Sequence, residues 1–226
     1  GKTQPKMITF KNHYFGNGSF LSRSLSDEND TFFPVTHLDC PTEENYNDVL
    51  KQLETMISCK EAFAVWLEPV LQKTFEHTPK DFIKKAISLC RKNGIPIIIN
   101  DTASSEFNYD ENHYFAASSF EEAPDAGFSF LGGQAGFVYL NEALFIEKPL
   151  MMISTWDGDE FSYSSYVLGM NIHKDNKKEL KSLQEKFHKT MEEKLKKLSG
   201  VTYHLKNGRG YAKGNLPYAL RNRLTE

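Results

Sequence analysis

The segment from Ile95 to Gly133 constrains the fold more than any other. It opens with Ile95-Pro96-Ile97-Ile98-Ile99-Asn100-Asp101, an apolar run ending in a carboxylate. It closes with Ala126-Gly127-Phe128-Ser129-Phe130-Leu131-Gly132-Gly133, a second apolar run ending in a glycine turn. A β-branched run this short, bounded by turn formers, reads as a strand buried on both faces. Such strands belong to parallel sheets, and α/β sheets take their ligands beyond the C-terminal ends of the strands. Asp101 is therefore the first candidate site residue, and Ser129 the next.

The flanking sequence supplies the rest of a sheet. Lys6–Phe10 reads as a short strand running into a turn-rich loop through His13, Tyr14 and Gly16. Pro34 marks the segment from Thr31 to Val35 as an edge. From Pro41 to about Ser58 the spacing of Val49, Leu50, Leu53, Met56 and Ile57 predicts a helix. Ala62–Leu67 is the next buried strand, again followed by an acid, Glu68, to which no definite role is assigned. Thr78 is the expected N-cap of a helix that starts at Pro79, buries Phe82, Ile83, Ala86, Leu89 and Cys90, and stops at Gly94. Strand, helix and strand with short joints predict parallel pairing around Val65 and Ile98. The few residues between Phe130 and Ala135 predict that the next strand, ending at Leu140, runs antiparallel. Residues 150 to 170, rich in Ser, Tyr and Asp, read as a functional loop, and a long helix is expected from Asp175 to about Leu198. The final segment starts like a strand at Val201 and then turns basic, without clear periodicity.

Composition mainly excludes. A net charge of -3 argues against general nucleic-acid or membrane binding. No apolar run approaches the roughly 18 residues that span a bilayer, and no signal peptide is recognisable. Cys40, Cys59 and Cys90 are odd in number and lack a metal-ligand spacing, which predicts free thiols, a reducing compartment and a cytoplasmic location. The run Gly132-Gly133-Gln134-Ala135-Gly136 lacks the lysine and following helix of a nucleotide-phosphate loop.

Six landmarks in this order resemble the large domain of class III (ornithine/acetylornithine-type) aminotransferases, which bind pyridoxal phosphate (PLP). Lys6–Gly16 resembles the strand leading to that family's aromatic-His-Gly loop, with Tyr14 as the aromatic, Phe15 at the His position and Gly16 as the glycine. Ala64–Pro69 resembles its strand ending in Glu-Pro, and Phe82–Asp101 the helix and strand that deliver its cofactor-binding aspartate. Pro124-Asp125 through Leu131-Gly132-Gly133 resembles the strand and turn that carry its lysine. Ser154-Thr155-Trp156-Asp157-Gly158 is similar to its Ser-Thr-Phe-Gly-Gly loop, and Asn207-Gly208-Arg209-Gly210 to its Arg-Gly-x-Gly turn.

The resemblance implies an α/β fold: a PLP-dependent transferase-like large domain, with a mostly parallel sheet and one antiparallel edge strand, incomplete at both ends. Residues 1–200 would form this domain and 201–226 the start of a C-terminal segment. It further implies Asp101 on the pyridine nitrogen, Tyr14 stacked on the ring, and Ser154 and Thr155 at the phosphate. Ser129 occupies the position of the Schiff-base lysine, and a hydroxyl cannot form an imine. No lysine lies between Lys92 and Lys148, so no shift of register supplies one. Ala103 and Ser104 replace the family's Val-Gln, and Asp157-Gly158-Asp159 puts negative charge where a phosphate would sit. The family's first strand and phosphate-cradling turn have no counterpart before Lys6. These departures predict a domain without transaminase activity and without bound PLP, acting as a structural or interaction module. Its expected partner is a second copy of the chain or the remainder of a larger polypeptide. The alternative is a PLP-binding enzyme that has lost its lysine, or a fragment of one.

Overall fold

The computed structural model describes residues 4–16, 34–130, 136–146, 159–206 and 209–214. Contacts divide the chain into two units, one of residues 1–73 and 77–170, the other of 74–76 and 171–226.

The first unit is built on six strands: β1 (Lys6–Phe10), β2 (Val35–Leu38), β3 (Ala62–Leu67), β4 (Ile97–Asn100), β5 (Ala126–Phe130) and β6 (Gly136–Leu140). They lie in the order β2-β1-β3-β4-β5-β6. All neighbours are parallel except β5 and β6, which are antiparallel. The register pairs Val65 with Ile97 and Leu67 with Ile99, so β3 and β4 end level with one another.

Helices α1 (Tyr46–Ser58) and α2 (Lys80–Lys92) are the crossovers into β3 and β4. Both cover the same sheet face: Val49, Leu53 and Ile57 of α1 and Phe82, Ile83, Ile87 and Cys90 of α2 bury against Ile8, Phe10, Val65, Leu67, Ile97 and Ile99. Burying a side chain of that size contributes about 1.5–3 kcal/mol, far more than any cap on these helices. A second, smaller cluster of Met7, Ala64 and Trp66, with Phe15, Val35, Ile98 and Phe128 against it, occupies the opposite face.

Three expectations about the helices change. Helix α1 starts at Tyr46, because residues 43–45 form a turn in which Asn45 accepts a hydrogen bond from the Thr42 amide at 2.7 Å. Thr78 does not cap α2; its hydroxyl donates to the Glu68 carbonyl at 2.6 Å and ties the helix entry to the end of β3. The described part of the expected 150–170 loop is helix α3 (Glu160–Asp175). The Asp159 carboxylate accepts from the Ser162 amide at 2.8 Å, a side-chain cap that outweighs the weak helix propensity of the serines behind it.

In the second unit, α4 (Lys177–Leu195) packs on β7 (Val201–Lys206), which pairs antiparallel with β8 (Arg209–Gly214). The basic C-terminal stretch is thus partly a hairpin strand. Among the described residues no helix is long and apolar enough to cross a membrane, and no group of His, Cys, Asp and Glu could hold a metal ion. Cys90 is a buried thiol and Cys59 an exposed one.

Gly127 shows how tightly the β5–β6 hairpin is built. It faces Tyr139 across the ladder, and a Cβ there would collide with the tyrosine ring and come within 2.8 Å of the Ile99 carbonyl. Gly127→Ala is expected to lower stability by about 1–3 kcal/mol, measured by urea unfolding; an unchanged midpoint would show that the ring moves freely.

Candidate functional site

The C-terminal edge of the parallel sheet gathers side chains from four strand ends. Leu67 and Ile99 are in register, so Glu68 and Asn100, one residue further on, stand side by side. Glu68 is fully buried. Its Oε1 accepts from the Asn100 amide at 3.0 Å and its Oε2 from the Tyr14 backbone amide at 2.8 Å. The Asn100 amide also donates to the Tyr14 carbonyl at 3.2 Å. One carboxyl and one carboxamide thus hold the loop after β1 against the ends of β3 and β4. Tyr14, expected to stack on a cofactor, is fixed here through its backbone.

Burial pushes the Glu68 carboxyl up to about 8, opposed by the amides of Tyr14 and Gln72 and by the charge of Lys73. His13 is fully enclosed beside it, its Nδ1 3.1 Å from the Phe10 carbonyl and its ring 5.3 Å from that of Phe10. Burial lowers its pKa to about 4, so the imidazole is neutral near pH 7.

Asp101 does different work. Its carboxylate accepts from the Ser104 hydroxyl, the Ala116 amide at 3.0 Å and the Ala117 amide at 3.0 Å. These donors belong to the segment between β4 and β5, so both oxygens anchor that segment to the end of β4. Burial raises the Asp101 pKa, and the three hydrogen bonds pull it back. Ser129, on β5, is only 2% exposed, and its hydroxyl donates to the Asp101 carbonyl at 3.4 Å. Asp101 and Ser129 are therefore brought together, with Tyr14 reached through Asn100. Ser154 and Thr155 lie outside the described residues.

The surroundings of Asp101 are aromatic. Tyr114, Phe115, Phe137, Tyr163 and Tyr166 form a chain of ring contacts, with the Tyr166 and Tyr114 hydroxyls hydrogen-bonded at 2.8 Å. Burial, the Tyr114 contact and the negative charges of Glu106 and Asp101 raise the Tyr166 pKa. The Tyr166 hydroxyl therefore remains protonated near neutrality and offers no base.

The roles of Glu68, Asn100 and His13 escaped the sequence reading. The signal was present: two polar residues ending adjacent buried strands must meet if those strands are parallel and in register.

No family model matches the chain, and no curated protein matches it. Solved structures do. The ornithine aminotransferase from Toxoplasma gondii superposes with a TM-score of 0.68 at 18% identity over 95% of this chain and 52% of its own length. A PLP-bound amine transaminase from an uncultivated Pseudomonas species gives 0.69 at 14% identity over 89% of this chain and 53% of its own. The taurine:2-oxoglutarate aminotransferase from Bifidobacterium kashiwanohense, in complex with PLP and glutamate, gives 0.70 at 16% identity over 98% of this chain and 60% of its own. The fold is an aminotransferase fold. The chain spans little more than half the length of each of these structures.

Glu68 and His13 make stability depend on pH in opposite senses. Glu68 binds its proton more tightly folded than unfolded, so its contribution is complete below about 4.5 and lost as pH rises towards about 8. His13 binds its proton less tightly folded, so its contribution is lost as pH falls from 6.5 towards about 4. Between 6.5 and 8 Glu68 acts alone, and stability should fall with pH by an amount on the order of 1–3 kcal/mol. Thermal melts across that window should show the slope, and Glu68→Gln should flatten it.

Proposed function

We propose that this chain is an aminotransferase-fold domain without transaminase activity, serving as a structural or interaction module of a larger polypeptide or a dimer. The observation that carries the proposal is Ser129. It stands where the resemblance places the lysine that would bond the cofactor, and its hydroxyl is turned to the Asp101 backbone. It has neither the amine nor an adjacent base to act as a nucleophile.

The described residues do not fit PLP as the family holds it. The cofactor would supply an electron sink, which requires a carboxylate presented to the pyridine nitrogen. Asp101 has no accessible surface, and both of its oxygens are taken by donors of its own loop. Exposed apolar side chains on α3, Phe161, Val167 and Leu168 among them, support an interaction role, because clustered exposed apolar groups mark contact surfaces. A second reading, PLP held without a lysine, draws on the proximity of Asp101, Ser129 and the Tyr14 loop at one sheet edge.

Addition of PLP to the purified protein should leave the cofactor's absorbance unchanged, and borohydride should attach no pyridoxyl group. A spectral shift without trapping would favour the second reading, and trapping on a lysine would overturn both. Asp101→Ala should lower stability by about 2–4 kcal/mol in denaturant titration, because one buried and one half-buried amide lose their acceptor. An Asp101→Ala protein as stable as the parent would remove the anchoring role.

A further inference from the structure

The loop after β1 is held at its two ends by contacts that do not titrate. At one end the Lys11 amide donates to the Leu38 carbonyl at 2.9 Å. At the other the Phe15 ring leans on Trp66, with centroids 5.5 Å apart. Between them His13 and Tyr14 depend on groups that change charge. The His13 ring is 1% exposed, with Nδ1 beside the Phe10 carbonyl and Nε2 buried without a hydrogen-bond partner. Tyr14 donates its amide to Glu68 Oε2. Among the described residues, neither Glu68 nor His13 forms an ion pair. A charge buried without a partner is costly, so both groups are enclosed in their uncharged forms, Glu68 as the acid and His13 as the neutral imidazole.

We propose that residues 11–16 form a pH-responsive flap over the C-terminal edge of the sheet, shut while Glu68 and His13 are both uncharged and lifted when Glu68 ionises. The geometry decides which side of Glu68 gives way. Strands β3 and β4 are locked in the parallel ladder, and Asn100 ends the second of them. The Glu68 carbonyl is bound by the Thr78 hydroxyl at the entry to α2. Gln72 and Lys73 face the carboxyl from the loop beyond β3, which is closed by the Val70–His77 bridge and by the Thr78 amide on the Pro69 carbonyl at 3.0 Å. That leaves the Tyr14 side, whose backbone bonds among the described residues run to Glu68 and Asn100. Lifting Tyr14 is therefore the route by which water reaches an ionised Glu68, and it uncovers the Glu68–Asn100 pair at the candidate site. Lys73 favours an ionised Glu68 and a neutral His13, and His37, on β2, disfavours a charged His13. Lys11, on the flap itself, is engaged with Asp39 at its exposed end.

The flap goes beyond the module reading and does not rest on it, since its closure needs neither cofactor nor partner. Amide hydrogen exchange on the intact chain, corrected for the intrinsic pH dependence of each amide, tests it. Tyr14 should exchange faster than Val65, whose amide is bonded to the Pro96 carbonyl at 2.9 Å inside the sheet. Glu68 binds its proton at 4.5 when open and at about 8 when closed, so each pH unit between them multiplies opening about tenfold. His13, at 6.5 when open and about 4 when closed, offsets this rise up to 6.5. Protection of Tyr14 should therefore be level from 4.5 to 6.5 and fall about 30-fold from 6.5 to 8. Glu68→Gln should abolish the fall. Should that variant fail to fold, Lys73→Gln serves in its place: Lys73 is exposed, and loss of its charge should carry the fall beyond pH 8. Tyr14 exchange that matches Val65 at every pH overturns the proposal, because the loop then opens only with the whole domain. So does Tyr14 protection that is unchanged between 6.5 and 8, or a fall that persists in folded Glu68→Gln.

Discussion

Two consecutive residues at the end of β4 hold the C-terminal edge of this sheet together. Successive side chains of a strand leave on opposite sides. Asn100 turns towards Glu68 and the Tyr14 loop, and Asp101 towards the amides of Ala116 and Ala117. One residue thus secures the chain that precedes it in the sheet, and the other secures the segment that follows. A parallel sheet needs such devices because its connections are long and their ends would otherwise expose unpaired backbone where the strands stop.

The same residues explain why the fold was legible in the sequence and the site less so. Apolar runs such as Ile97–Ile99 and Ala62–Leu67 allow few alternatives, and parallel pairing followed from the helical spacing of Phe82, Ile83 and Ala86 between them. The antiparallel hairpin followed from chain length alone. Side-chain allegiance is another matter. Thr78 precedes a proline and a helix, and local pattern makes it a cap; the Glu68 carbonyl, ten residues back in sequence, is the better acceptor. Ser162 and its neighbours have poor helix propensity, and only the position of Asp159 announces a helix. Glu68 carries no local sign that it will be buried and linked to two other strand ends. That follows from register, which is a property of the sheet.

The likeness to aminotransferases concerns the frame. At 14–18% identity the frame alone is shared. A carboxylate at the end of a central strand is well placed for a ligand and equally well placed to hold its own loop. The choice depends on whether neighbouring amides reach it first. Ser129 is tied to the same strand end, its buried hydroxyl donating to the Asp101 carbonyl.

Cys90 has a bearing on how this layer moves. It lies on the face of α2 pressed to the sheet, where burial pushes its thiol up to about 12, whereas Cys59 is exposed just beyond α1. Alkylating reagents require thiolate and access. Cys59 will react with the intact domain, and Cys90 only in the moments when α2 lifts away. The ratio of the two rates is a built-in gauge of breathing in the helical layer, readable without labels or substitutions.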